Sequence, residues 1–369
     1  MKAYIWSIPT RVFHMMFAAF IIAAFLSGDE DELLNIHASI GYAIAVLVVY
    51  RIIWGFIGPK YSRFSDFPLS LQELKSFALN IFNQKKYAGH NPGASFVMIA
   101  MLAVVVLTVL TGVLAYGIQE GRGILSFLNS SYFKEMKLFK EVHEFFSTLL
   151  MILIGLHLGG VAFDRLIDKK TNTLASIATG YKNIEAPSVT LKWFQKLFSL
   201  VALVFAAGVL FYLLFFNSPL TKSGYSALNY EKEHSAFVAE CASCHTIYPP
   251  HLLPRESWSK MMDTLDDHFG DDASLDDKTR VSIREYLLKN AAESSSKESA
   301  VYILNSLKEK KDIIAVTQTP YWLARHKNID KKIFSQKEIK SKSNCKACHS
   351  DIEKGLIEDM NIKIPKAGA

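Results

Sequence analysis

The sequence predicts an all-α protein in two parts, a bundle of membrane helices followed by a mostly helical, loop-rich extramembrane domain. Three observations carry that prediction. Half of the 369 residues are hydrophobic and only 21% are charged, and the mean hydropathy is +0.17, more apolar than a chain with long polar stretches can be unless one part lies in lipid. Runs long enough to cross roughly 30 Å of hydrocarbon stand near residues 10–27, 37–57, 95–117, 143–163 and 193–216, with none after them. From about Tyr225 charged residues recur every few positions, and all four cysteines fall there, as Cys241, Cys244, Cys345 and Cys348. They form two pairs at one spacing and leave nothing for structural disulfides. This composition excludes a disordered chain, a collagen-like fibre and a small disulfide scaffold.

Residues 1–190 are therefore expected to form a four-helix membrane domain, 191–224 a fifth, tethering span with its linker, and 225–369 the extramembrane domain. The first span follows Lys2 and ends in small residues, as a cleavable leader does. It is expected to stay, because cleavage would discard His14 and leave an even number of spans. Lys and Arg in the short connections set the orientation. The second connection carries Arg51, Lys60, Arg63, Lys75, Lys85 and Lys86, and the fourth carries Arg165, Lys169, Lys170, Lys182, Lys192 and Lys196. Both are expected on the cytoplasmic side, with the acidic stretch 28–32 opposite. The third connection mixes Arg122, Lys134, Lys137 and Lys140 with Glu120, Glu135 and Glu141 and decides nothing. The expectation is a multi-pass protein of the bacterial inner membrane, its N-terminus cytoplasmic and its C-terminal domain periplasmic. A net charge of +6, spread over such a chain, gives no reason to expect a nucleic-acid partner.

An ionisable side chain at membrane depth is costly, so it points to function. His14, His37, His143 and His157 lie within or at the ends of the expected spans. His143 and His157 are close to a whole number of turns apart, so they share one face, separated by roughly 21 Å at 1.5 Å per residue. That is room for two stacked haems. Depth pairs His37 with His143 on the periplasmic side and His14 with His157 toward the cytoplasm. Gly41, Gly155, Gly159 and Gly160 leave room for a flat macrocycle near the backbone. Two axial imidazoles close an iron's coordination sphere and favour electron transfer over oxygen or substrate chemistry.

These residues carry a resemblance. With Trp6-Ser-Ile-Pro-Thr-Arg-Val-Phe-His14, His37-Ala-Ser-Ile-Gly41, Arg51-Ile-Ile-Trp-Gly-Phe-Ile-Gly-Pro59, Arg63-Phe64 and Gly89-His-Asn-Pro92, the first 216 residues resemble the membrane dihaem cytochrome b family. That family includes the b subunits of nickel-dependent hydrogenases and formate dehydrogenases. The resemblance implies two non-covalent b haems on the four histidines. His90 reads as a loop residue, with a place near a quinone or a haem propionate as the alternative.

Cys241-Ala-Ser-Cys244-His245 and Cys345-Lys-Ala-Cys348-His349 both fit C-x-x-C-H, in which two thiols add to porphyrin vinyl groups and the histidine binds iron. A lone C-x-x-C also suits a redox dithiol or half a zinc site; two copies, each followed by His, favour two covalent c haems. Sixth ligands are expected at His268 for the first and His326 for the second, with Met261, Met262 and Met360 as alternatives that would raise the potential. His234 and His251 are expected at the surface. The region is similar to the periplasmic dihaem cytochrome c family through Glu240 to His245, Tyr248-Pro-Pro250, Leu252-Leu-Pro254, Ser257-Trp258, His268-Phe-Gly270, Arg325-His326 and Cys345 to His349. That resemblance implies two histidine ligands on each c haem. Seven aspartates and no Lys or Arg fall between Asp263 and Asp277, while Lys308 to Lys346 holds eleven basic residues against four acidic ones. Such segregation suits solvated faces, or the steering of a charged partner to a haem edge.

The expected function is electron transfer between the quinone or quinol pool and a periplasmic cytochrome or other redox protein, quinol oxidation being the preferred direction. Alternatives are the reverse flow from a periplasmic dehydrogenase or hydrogenase, a haem-based gas-ligand-binding or sensing module, and a membrane anchor for a partner enzyme.

Overall fold

A computed structural model describes residues 2–82, 86–168, 171–308 and 312–365. Lys85, Lys169 and Lys170, used above for orientation, and Lys310 and Lys311 of the basic stretch lie outside the described residues. The chain divides into two compact units, Met1–Ala115 with Phe139–Thr221, and Tyr116–Leu138 with Lys222–Ala369.

The first unit contains five helices long and apolar enough to cross a membrane: α1 (Ile8–Leu26), α2 (Leu34–Ile57), α3 (Pro92–Leu114), α4 (Leu138–Ile167) and α5 (Trp193–Phe215). Their starts follow local chemistry. Asn91 caps α3 by accepting from the Ala94 N–H at 2.8 Å, and Pro92 follows where its missing N–H costs nothing. Gln195 ties α5 to α2: its Oε1 accepts from the Lys192 N–H at 2.9 Å, and its Nε2 donates to the Ile57 carbonyl at 2.6 Å. One core joins Ile40, Ile44, Val48, Val104, Val105 and Leu150. A second packs Leu47, Tyr50 and Trp54 of α2 on Leu203 and Ala206 of α5, so the fifth helix is built into the bundle. Phe56, Phe145, Leu158, Leu200, Val204 and Phe205 point outward. In water such a surface would drive association; on helices whose backbone groups are internally paired, it suits hydrocarbon.

Two short strands, β1 (Ala3–Tyr4) and β2 (Tyr181–Lys182), pair antiparallel. Gly180, at φ +89°, makes the turn into β2, and a Cβ there would meet the Tyr4 ring at 2.4 Å. Its carbonyl accepts from the N–H groups of Ile5 and Trp6 at 2.8 and 3.1 Å. The strand pair thereby holds Trp6 and Lys182 together, while the Phe64 ring lies against the Cα of Gly55, where a Cβ would clash with it.

The second unit packs α6 (Arg255–Asp263), α7 (Asp277–Lys289), α8 (Glu298–Ser306) and α9 (Pro320–His326) around Phe237, Leu253, Trp258, Ile283, Leu287, Ile303, Trp322 and Ile352. The third connection belongs to it. Arg122 pairs with Glu358, Lys308 with Glu135 at 2.6 Å, and the Tyr225 hydroxyl bonds to Asn129 at 2.9 Å and the Ser296 carbonyl at 2.8 Å. His251, expected at the surface, is buried in the core-facing turn Pro250–Leu252. His234 is partly exposed and structural: Nδ1 accepts from the Phe237 N–H and Nε2 meets Ser282 Oγ, both at 3.0 Å.

Candidate haem sites

The eight histidines singled out by sequence stand in four pairs. Ring centroids are 6.4 Å apart for His14 and His157, 6.0 Å for His37 and His143, 6.3 Å for His245 and His268, and 6.1 Å for His326 and His349. An imidazole–metal bond is about 2 Å and a ring centroid lies about 1 Å behind its nitrogen, so imidazoles on opposite sides of one metal put their centroids about 6 Å apart. Each pair meets that separation. Among the described residues no group of three or more His, Cys, Asp or Glu is arranged for a metal ion. Two donors alone do not make a stable site; a macrocycle that brings its own four nitrogens completes one, and the residues fit it.

Backbone carbonyls orient four rings in three of the pairs, both rings in the pair of His37 and His143. The Nδ1 of His37 lies 2.9 Å from the Ala24 carbonyl, that of His143 2.9 Å from Thr108, that of His245 2.7 Å from Thr246 and that of His326 2.8 Å from Trp322. A proton on Nδ1, donated to the carbonyl, leaves the Nε2 lone pair for a metal. His14 and His349 have a buried Nδ1 with no hydrogen-bond partner. Gly112 lets His143 lie on α3, since a Cβ would sit 3.0 Å from its Cε1. A Cβ at Gly41, Gly155, Gly159 or Gly160 would meet nothing within 4 Å.

In the second unit burial lowers the pKa of His268, His326 and His349, the paired imidazole adding to the effect at His268 and His349. These rings are neutral at pH 7 and their nitrogens are free to bind metal. All four cysteines are free. Burial, reinforced by Glu240, pushes the Cys241 thiol up to about 11, and burial pushes Cys345 up to about 11. The thiols remain available for covalent attachment. Met262 lies in the hydrophobic core and Met360 is half exposed, while His268 and His326 stand beside His245 and His349.

Residues 5–180 match the family model of prokaryotic cytochrome b561, and residues 237–357 match that of dihaem cytochrome c. The chain joins a cytochrome b561 domain to a dihaem cytochrome c domain. It is a membrane electron-transfer protein built on haem b and haem c. The cytochrome b561 domain is 26% identical to a probable Ni/Fe-hydrogenase B-type cytochrome subunit of Rhizobium leguminosarum bv. viciae, over 33% of this chain and 62% of that protein. The chain thus spans less than two thirds of that relative. The dihaem cytochrome c domain is similar to a dihaem cytochrome c of Rhodobacter sphaeroides, at 36% identity over 33% of this chain and 94% of that one, with a TM-score of 0.30. Its likeness to one from Shewanella baltica OS155 has 30% identity over 36% and 94%, with a TM-score of 0.29.

Sequence reasoning missed the carbonyl partners of the histidines, because any residue supplies a carbonyl. It also missed Trp322, whose ring stacks on His326 at 4.2 Å.

Proposed function

We propose that the protein carries electrons between the membrane quinone pool and a periplasmic redox protein, from quinol outward, through two b and two c haems. His14 with His157 and His37 with His143 would hold the b haems; Cys241 and Cys244 with His245 and His268, and Cys345 and Cys348 with His349 and His326, would hold the c haems. The recurrence of one separation, 6.0 to 6.4 Å, in four pairs carries the reading. A haem iron held between two such imidazoles would supply one-electron transfer rather than substrate chemistry. The chain's part is to fix each imidazole and to exclude water. Carbonyl-bound Nδ1 protons stop the rings from turning, which keeps reorganisation between oxidation states small.

The charge of the connections supports a cytoplasmic N-terminus and a periplasmic C-terminal domain in the inner membrane. The third connection belongs to the same compact unit as the C-x-x-C-H residues. In the purified protein a quinol analogue is expected to reduce all four haems; reduction of the b haems alone would refute a continuous wire. The hydrogenase-type relative favours the reverse flow as the second reading. Outward flow expects the c haems at higher potential than the b haems, and the opposite order in a potentiometric titration would support inward flow. Carbon monoxide is expected to leave the reduced spectra unchanged; a shifted Soret band would favour a gas-binding module.

Ring angles add a spectroscopic prediction. The imidazole planes are 87° apart for His37 and His143 but 23° apart for His245 and His268. Crossed axial planes leave ferric orbitals nearly degenerate, so the first haem is expected to give a highly anisotropic low-spin EPR signal and the second an ordinary rhombic one. Four rhombic signals would contradict this geometry.

Docking is expected to feel the aspartates around His268. Asp263 is paired with Arg280 and Arg284, while Asp266, Asp267, Asp271 and Asp272 are exposed. A basic partner should therefore be reduced more slowly as salt rises through the range where the Debye length shrinks from about 30 to 10 Å. A rate indifferent to salt would exclude this face as the docking site.

A further inference from the structure

Near the His14–His157 pair, the first unit buries basic groups whose hydrogen-bonding capacity it does not fill. Arg11 stands one turn before His14 on α1, Arg51 in the last third of α2, His90 just before α3, and Lys182 in β2. Lys182 is buried; its Nζ donates to the Gly89 carbonyl at 3.0 Å and lies 5.6 Å from the Trp6 ring. The same Trp6 ring is 4.8 Å from His90, whose ring meets Phe67 at 4.8 Å. Arg51 lies 4.9 Å over Phe64 and 5.8 Å over Phe67. Arg51, His90 and Lys182 thus line one patch of basic groups on aromatic faces, with Arg11 one turn before His14.

Aromatic faces attract cations but accept few hydrogen bonds. Arg11 Nε, Arg51 Nη1 and His90 Nδ1 are buried without a partner. The acid that acts on Lys182 is Asp164, two turns beyond His157 on α4, and its Oδ2 is also unpartnered. Burial first, then the charges of Lys182, Arg51 and His157, lower the pKa of His90 to about 3, so it stays neutral. Burial lowers that of Lys182 to about 8, Asp164 opposing the shift. Buried cations left in this state are costly, and a buried acceptor that carries negative charge removes the cost.

We propose that this cluster is a carboxylate pocket that anchors the propionate groups of the haem held by His14 and His157, with Arg51 and Lys182 as direct partners and Arg11 and His90 at its rim. The proposal rests on the assignment of that haem in the preceding section. A guanidinium fork matches a carboxylate in two parallel hydrogen bonds, and an ammonium adds a point charge. Cations beside a haem favour its ferrous form.

The test uses the full-length purified chain with Lys182→Met and Arg51→Leu, made singly, and Lys182→Arg as the charge-retaining control. Covalent haem content and helical circular dichroism report folding. Removing a cation favours the ferric form, so each variant is expected to lower the midpoint potential of one b haem, leave the other three haems unmoved, and speed extraction of non-covalent haem by apomyoglobin at least tenfold. Lys182→Arg should restore both readouts. A His37→Leu background, which keeps the His14–His157 haem, should show the shift and a His14→Leu background should not. Should Arg51→Leu fail to fold, Lys182→Met decides alone. Unchanged potential and extraction in Lys182→Met, or a shift that persists in the His14→Leu background, would overturn the pocket. A wild-type chain without non-covalent haem would instead overturn the assignment on which the pocket rests.

Discussion

Replacing His37 by leucine is expected to reduce non-covalent haem from two per chain to one, leave two covalent haems, and stop quinol-driven reduction of the c haems. His37 and His143 come from different helices, and each ring is held by a carbonyl, Ala24 on α1 for His37 and Thr108 on α3 for His143. Each ring is thus fixed by a helix other than its own. Perturbing a group that only orients a metal ligand costs about 10 to 100-fold in affinity, so losing the ligand itself should exceed that and empty the site. Leucine keeps the volume apolar, and the bundle core of Ile40, Ile44 and Val48 lies further along α2, so the helices should still assemble. A pyridine haemochrome assay gives the counts, and stopped-flow mixing with a quinol analogue gives the rate. A variant that keeps both b haems would remove His37 from the ligand set; one that loses a b haem yet reduces the c haems at the wild-type rate would show that electrons bypass that site.

The membrane spans, the membrane histidines and the two C-x-x-C-H motifs were legible because each has a strong local signal, an apolar run, a spacing at the helical period or a short motif. Even so, α4 begins at Leu138 rather than near residue 143. Its first turn, Leu138-Phe-Lys-Glu141, carries charge that ends the hydropathy run without ending the helix. What sequence concealed were decisions made by distant partners. The mixed charges of the third connection gave no orientation because some serve another purpose: Arg122 meets Glu358 and Glu135 meets Lys308, far along the chain. His251, between prolines and leucines, looks like a surface turn until Leu253 and Trp258 are seen to pack in the same core, with Trp258 Nε1 donating to the Pro250 carbonyl at 2.7 Å. The proposed carboxylate pocket is hidden in the same way, its basic residues being drawn from α1, α2, the approach to α3 and β2.

His326→Met is expected to raise the potential of the second c haem by about 0.1 to 0.2 V, a fraction of the roughly 0.8 V that axial ligands command. A thioether donates less to ferric iron than imidazole does, so the ferrous form gains. His326 also holds its ring through two local contacts, the Nδ1 bond to the Trp322 carbonyl at 2.8 Å and the stack on the Trp322 indole at 4.2 Å, 13° from parallel. Methionine forfeits the bond but keeps the apolar contact, since a sulfur beside an aromatic ring is favourable, and Trp322 remains in the core. For a one-electron carrier about 0.06 V is tenfold in equilibrium, so electrons should collect on this haem tenfold or more beyond the wild-type share. If it is the exit to the partner, oxidation by a partner of fixed potential should slow while reduction by quinol does not. Redox titration followed at the c-haem α band measures the shift, and the EPR signal of the pair, whose planes now differ by 56°, should disappear. A potential that does not move, with that signal intact, would take His326 off the iron and leave His349 to find another partner.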